Sequence, residues 1–193
     1  MWRYGLLAML GVVAMAVAAC DGVNGDVTAT ESGAGTVNGS IHVPAGQHSG
    51  AVGTVNGSIR IDDGATVGPA RTVNGAMDLE SGADVGGGLK NVNGQITLKT
   101  AHVGGGLSTV GGDIDLSGES RVEGGILVQE PGGWFGGSSS RARKPRIVIG
   151  PGAVVQGNLR FEREVELYVS ERATVGPITG ATAIRFAGDR PPG

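Results

Sequence analysis

Asp62 and Glu80 are the residues whose type and spacing come nearest to a reaction centre. They hold the same place in consecutive copies of a repeat. A chain that coils once per copy would bring them onto neighbouring coils, as a glycoside hydrolase places its paired carboxylates. The residues around them argue for a solvated face instead. Five positions past the Val of each repeat stand His42, Arg60, Asp78, Thr97 and Asp115, and seven past it stand Pro44, Asp62, Glu80, Lys99 and Ser117, so both signs of charge are mixed. The three histidines, His42, His48 and His102, have no partner that would make one of them the base of an acyl transfer. They also make a poor metal set, because two fall near the first copy and the third far along the chain. The expectation is a chain that is not an enzyme and that holds no metal and no cofactor.

Two further groups invite a binding reading. Trp134 and Phe135 stand between glycines, followed by Arg141, Arg143, Lys144 and Arg146, in a Gly- and Ser-rich stretch that interrupts the repeats at about residues 129–146. Aromatics beside a cluster of cations could dock on anionic headgroups or an envelope polymer, each basic residue near such a surface contributing about 1 kcal/mol. The bland alternative is a loop insertion whose Trp folds back over the body. The second group is Cys20, the single cysteine, which cannot form an internal disulfide. It closes a leader in which Arg3 is followed by an apolar run at 6–17 and by Ala18 and Ala19, the layout of an export signal. The run is short of the roughly 20 residues that cross a bilayer. With 15 Lys and Arg against 18 Asp and Glu, the net charge of -3 gives no reason to expect a nucleic acid partner.

What positions these residues is the repeat itself. "TVNG" occurs at 36–39, 54–57 and 72–75, with "NVNG" at 91–94 and "TVGG" at 109–112, so the central Val recurs at steps of 18, 18, 19 and 18. Four and six residues on come apolar pairs, Ile41 and Val43, Ile59 and Ile61, Met77 and Leu79, Ile96 and Leu98, Ile114 and Leu116; near twelve on come Val67, Val85, Val103 and Val122. Spacing two is strand periodicity. With 38 Gly, few aromatics and small β-branched residues, the fold expected is all-β: a single-stranded parallel β-solenoid of about 18-residue coils, each burying its apolar side only by stacking. Asn38, Asn56, Asn74 and Asn93 are expected to sit at one corner in left-handed backbone and to stack as a ladder of amides. "GVNG" at 22–25 comes 14 residues early and reads as linker or an imperfect first coil. The domain reading is a leader at 1–19, a linker at 20–35, a solenoid at 36–186 with its insertion, and a disordered tail at 187–193.

These residues carry resemblances. "VAAC" at 17–20 resembles the bacterial lipobox, which implies that Cys20 is diacylated and becomes the first residue of the mature chain. "VNGSIRI" at 55–61 and "GGDIDL" at 111–116 resemble the bacterial adhesin-like β-strand-repeat proteins, and "VIGPGAVVQGNL" at 148–159 is similar to bactofilins, polymer-forming proteins with a short-coiled β-helix. Both resemblances imply a right-handed parallel β-helix and offer no catalytic residue. "IGPGAVVQGN" also resembles the hexapeptide repeat of β-helix acyltransferases. The resulting expectation is an exported, lipid-anchored envelope protein, facing the periplasm from the inner or outer membrane, whose solenoid serves as scaffold or adhesin-like surface. Its expected partners are the membrane, an envelope polymer or anionic headgroups, and, weakly, its own copies through open sheet edges. A carbohydrate-active enzyme or hexapeptide-type acyltransferase is the alternative.

Overall fold

A computed structural model describes residues 22–131 and 143–192. Cys20, Trp134, Phe135 and Arg141 lie outside the described residues, as does the leader. The described chain is all β, with short strands in three parallel sheets of nine, nine and seven strands. One coil shows the logic. Ala70–Arg71 lies in the first sheet, the "TVNG" corner follows, Met77–Leu79 lies in the second sheet, Asp84–Val85 in the third, and Leu89–Lys90 returns to the first. Each strand then pairs in parallel with its counterpart one coil on, Met77 with Ile96, Asp84 with His102 and Leu89 with Leu107. Nine strands at about 4.8 Å spacing make a stack roughly 40 Å long.

The core is a thin column filled from all three sides. From Ile41–Val43 through Glu166–Ser170 the second sheet supplies two inward residues per coil because these strands span three or more residues and alternate faces, as in Ile59–Ile61, where Ile59 and Ile61 are buried and Arg60 is exposed. The two-residue strands of the third sheet supply one, Val67, Val85, Val103, Val122 and Val155 in turn. In the first sheet the inward column runs Val52, Ala70, Leu89, Leu107, Ile126 and Leu159.

Four features differ from expectation. Gly22–Asn24 and Val27–Thr28, within the stretch assigned to the linker, are strands that pair with Ala34–Asn38 and Ile41–Val43, so of the two readings of "GVNG" the imperfect first coil is the one observed. That first coil has no third strand and closes through a turn bridging Thr30 and Gly33, which is why its repeat arrives after 14 residues. Next, the Asn residues of the repeated corner do not have positive φ, although the glycines after Asn24 and Asn93 do, and the regular left-handed column lies elsewhere. Among the described residues Thr100 is the one non-glycine with positive φ, and it falls in a column with Gly46, Gly64, Gly82, Gly118 and Gly152, between the second and third sheets. The loop's basic end is already structured, since Arg146–Ile149 is a strand of the second sheet. Last, residues 187–192, expected as a disordered tail, fold back onto the stack: Arg172 pairs with Asp189 at 2.7 Å, and an Arg146 guanidinium N–H donates to the Pro192 carbonyl at 3.5 Å.

Candidate functional site

At the repeated corner the Thr, the Asn and the Gly of "TVNG" each have their own task. The Thr points inward: the buried hydroxyls of Thr54 and Thr72 donate to the carbonyls of Gly39 and Gly57, one coil back, at 2.9 and 3.0 Å. In "NVNG" the buried Asn91 makes the equivalent bond, its amide donating to the Gly75 carbonyl at 3.1 Å, which explains the substitution. The Asn side chains form a ladder on the outside. Asn38 donates to the amide oxygen of Asn24 at 3.0 Å, Asn56 to Asn38 and Asn74 to Asn56 at 2.9 Å, and Asn93 to Asn74 at 3.1 Å. Asn24, in the first coil, is thus the first rung.

The ladder needs no left-handed backbone, because Asn38, Asn56, Asn74 and Asn93 are bridged in parallel like strand residues. The glycine after the Asn is required for a different reason. A Cβ built at Gly57 or Gly75 would overlap the carbonyl oxygen of Gly39 or Gly57 in the coil beneath. Coils approach so closely here that only a residue without a side chain fits. The ladder stops where Gly111 replaces Asn, and there Arg163 donates to the Val110 carbonyl at 3.0 Å.

Asp62 and Glu80 lie on adjacent coils of the second sheet, and cations occupy both. Asp62 pairs with His42 Nε2 at 2.7 Å and with Arg60 Nε at 2.8 Å; Glu80 pairs with Lys99 at 3.0 Å and with Arg60 at 3.6 Å. The hydrogen bonds from His42 and then Arg60 hold the Asp62 carboxyl below its usual value of 3.8. A carboxylate stabilised in its charged form is a poor general acid. His102 stands in the third sheet between Asp84, at 2.6 Å, and Glu123, at 3.4 Å. Among the described residues no group of three His, Cys, Asp or Glu side chains forms a metal-ligand set.

The described cations of the insertion do not gather at one tip. Arg143 pairs with Asp113, whose carboxylate also accepts the Arg146 backbone N–H at 2.8 Å; Lys144 pairs with Glu164 at 2.9 Å; the Arg146 guanidinium lies 5.0 Å from the centre of the Tyr168 ring. The Lys144 bond holds Glu164 below the ordinary carboxylate range and raises Lys144. Asp113, a position with no evident sequence signal, therefore ties the end of the insertion to the stack.

On the outer side of the second sheet, a groove of about 830 Å³ opens between Asp115, Arg146 and Val148 and the returning tail at Asp189 and Arg190. Burial pushes the Asp115 carboxyl above its usual value, and the charge of Arg146 opposes the shift. Asp115 belongs to an outward column visible in the sequence. The cations that line the groove with it were hidden because the insertion separates Arg146 from it in sequence, while Arg190 arrives from the tail. Compared with protein-family models, curated proteins and solved structures, the chain matches none.

Proposed function

We propose that this is an exported, lipid-anchored protein of the bacterial cell envelope, whose solenoid is a non-catalytic scaffold presenting an adhesin-like binding surface. The observation that supports the non-catalytic part is the pairing of Asp62 with His42 and Arg60 and of Glu80 with Lys99 and Arg60, so the two carboxylates do not stand as the free facing pair that glycoside hydrolysis uses. The anchor rests on the leader and on Cys20 at its end. A lipidated cysteine of this class carries more than one acyl chain, which is what stable attachment requires.

The first strand starts at Gly22, two residues past Cys20, so the anchor would hold the first coil at the headgroups. Two residues reach about 7 Å at most. The opposite end of the stack would then stand roughly 40 Å out, offering the open edges of Ile178–Thr179 and Ala183–Phe186, where Ile184 is exposed, to weak contact with other copies. Fractionation of cells expressing the full chain and Cys20→Ala tests the reading. The wild type should sediment with membranes and withstand salt and carbonate washes, and the variant should be released or remain as precursor. A Cys20→Ala protein that fractionates like wild type would overturn it.

A further inference from the structure

The groove beside Asp115 differs from the rest of the second sheet because its polar groups are not used up within the fold. Further back along the sheet most such side chains are engaged by one another, His42 with Asp62, Asp62 with Arg60 and Glu80 with Lys99, although Asp78 makes no ion pair among the described residues. In the groove, Lys99, Arg146, Arg172 and Arg190 face Asp115 and Asp189, four cations against two carboxylates, in a chain whose net charge is -3. Lys99 and Arg172 are held by Glu80 and Asp189. Among the described residues Arg146 pairs with no carboxylate: its guanidinium lies 5.0 Å from the centre of the Tyr168 ring and donates to the Pro192 carbonyl at 3.5 Å, and its Nε is buried without a hydrogen-bond partner. The buried Nε is closed to the groove, but a guanidinium with no carboxylate partner leaves a positive charge at the groove wall for an occupant to answer. Asp115 is the reverse case, a half-buried carboxylate that accepts no hydrogen bond among the described residues.

The occupant must therefore bring an acid for the guanidinium and a donor for Asp115. Phosphate or sulfate ions satisfy the first and are repelled by the second. A neutral sugar donates to Asp115 and leaves the excess positive charge unanswered. A sugar acid carries both groups on one ring, and Val148, Pro151 and Pro191 line the groove with apolar surface on which a ring can rest. The spacing of the coils, about 4.8 Å, also suits a polymer lying across successive strands.

We infer that this groove binds an acidic oligosaccharide, with Arg146 and Arg190 holding a sugar carboxylate and Asp115 accepting a hydroxyl hydrogen bond. The inference rests on the reading of the solenoid as an envelope binding surface, and names the ligand class and the place. Calorimetric titration of the detergent-solubilised full chain with β-1,4-linked triglucuronate, with the matching neutral glucose trisaccharide and with inorganic phosphate tests it. Triglucuronate should bind, and the other two should bind at least about tenfold more weakly, the loss expected for one charge-assisted pair. Arg146→Gln and Asp115→Ala should each weaken triglucuronate by about tenfold, while Arg60→Gln, on the same sheet outside the groove, should leave it unchanged. Because Arg146 opens a strand, Arg190→Gln in the exposed tail provides a variant that spares the stack and should weaken binding in the same direction. No heat with triglucuronate, equal binding of the neutral sugar or phosphate, or indifference to all three groove variants would overturn the inference. Cys20-dependent membrane retention alongside any of those results would leave the anchored-scaffold reading standing and remove only the site.

Discussion

Two glycines of one repeat should respond very differently to alanine, because different forces select them. Gly75 sits where its Cβ would overlap the Gly57 carbonyl oxygen. Gly64 sits at the other corner with a φ of 66° and nothing within 4 Å of the added carbon. At Gly64 the cost is left-handed backbone, about 1 to 2 kcal/mol, offset by about 0.4 to 1 kcal/mol from a less flexible unfolded chain. The net loss should be about 1 kcal/mol or less. At Gly75 the coils must separate, and forcing volume into a packed contact costs about 1 to 3 kcal/mol. Separation also stretches three hydrogen bonds between these two coils: Gly57 N–H to the Asn74 carbonyl and Thr72 hydroxyl to the Gly57 carbonyl, each 3.0 Å long, and Asn74 N–H to the Val55 carbonyl, at 2.8 Å. At about 1 kcal/mol each when fully lost, partial loss brings the total to about 3 to 5 kcal/mol. The unfolded-chain offset is common to both substitutions and cancels, leaving a gap of about 1 to 4 kcal/mol; since 1 kcal/mol moves Tm by about 2 to 4 °C at this chain length, Gly75→Ala should melt at least about 2 °C below Gly64→Ala. Circular dichroism melts, with urea titrations to obtain free energies, measure the gap. Equal losses at the two positions would refute the claim that close stacking, and not φ alone, dictates the "TVNG" glycine.

Asn74→Val and Asn74→Gly should both lose the bonds to Asn56 and Asn93, about 1 to 3 kcal/mol together, and Gly should be the worse by about 0.5 to 1 kcal/mol, because the position is strand-like; a Val variant clearly less stable than Gly would restore a left-handed corner. Asp115→Asn should raise stability at neutral pH. A carboxyl whose folded pKa lies above its usual 3.8 favours the protonated fold, so its contribution is best below that value and is lost as pH rises through the folded pKa. The advantage of Asn should shrink in acid, and a stability difference independent of pH would contradict the burial argument. Thr100→Gly should stabilise by roughly 1 kcal/mol, since Thr100 is the one non-glycine in the left-handed column, and an unchanged melt would show that its backbone carries no such strain.

The stacking direction and most of the core could be read from residue spacing. Ile59 and Ile61, or Ile96 and Leu98, alternate across three-residue or longer strands and so announce an inward face. The first sheet's inward column was not legible, because a two-residue strand such as Ala70–Arg71 contributes one buried side chain and no alternation. The position of the Asn ladder was legible and its conformation was not. Asn-Gly signals positive φ when the constraint is local, whereas Gly75 is constrained by a carbonyl 18 residues away in the chain. The choice between linker and imperfect first coil at Gly22–Asn24 stayed open because that coil omits the third side and breaks the 18-residue period. Asp62 and Glu80 could be placed on adjacent coils, yet their engagement by His42, Arg60 and Lys99 depends on side-chain reach between columns, which spacing alone does not specify. The Asp115 groove depends on an insertion and a returning tail, both outside the repeat.

The anchored-scaffold account turns on the state of Cys20 in the envelope. Intact mass analysis of the protein purified from membranes measures it directly. The account predicts a chain that begins at Cys20, lacks residues 1–19 and carries the added mass of a diacylglycerol and its further acyl chain on that residue. A mass equal to the unprocessed sequence, or to a chain cleaved elsewhere and bearing no lipid, would contradict it.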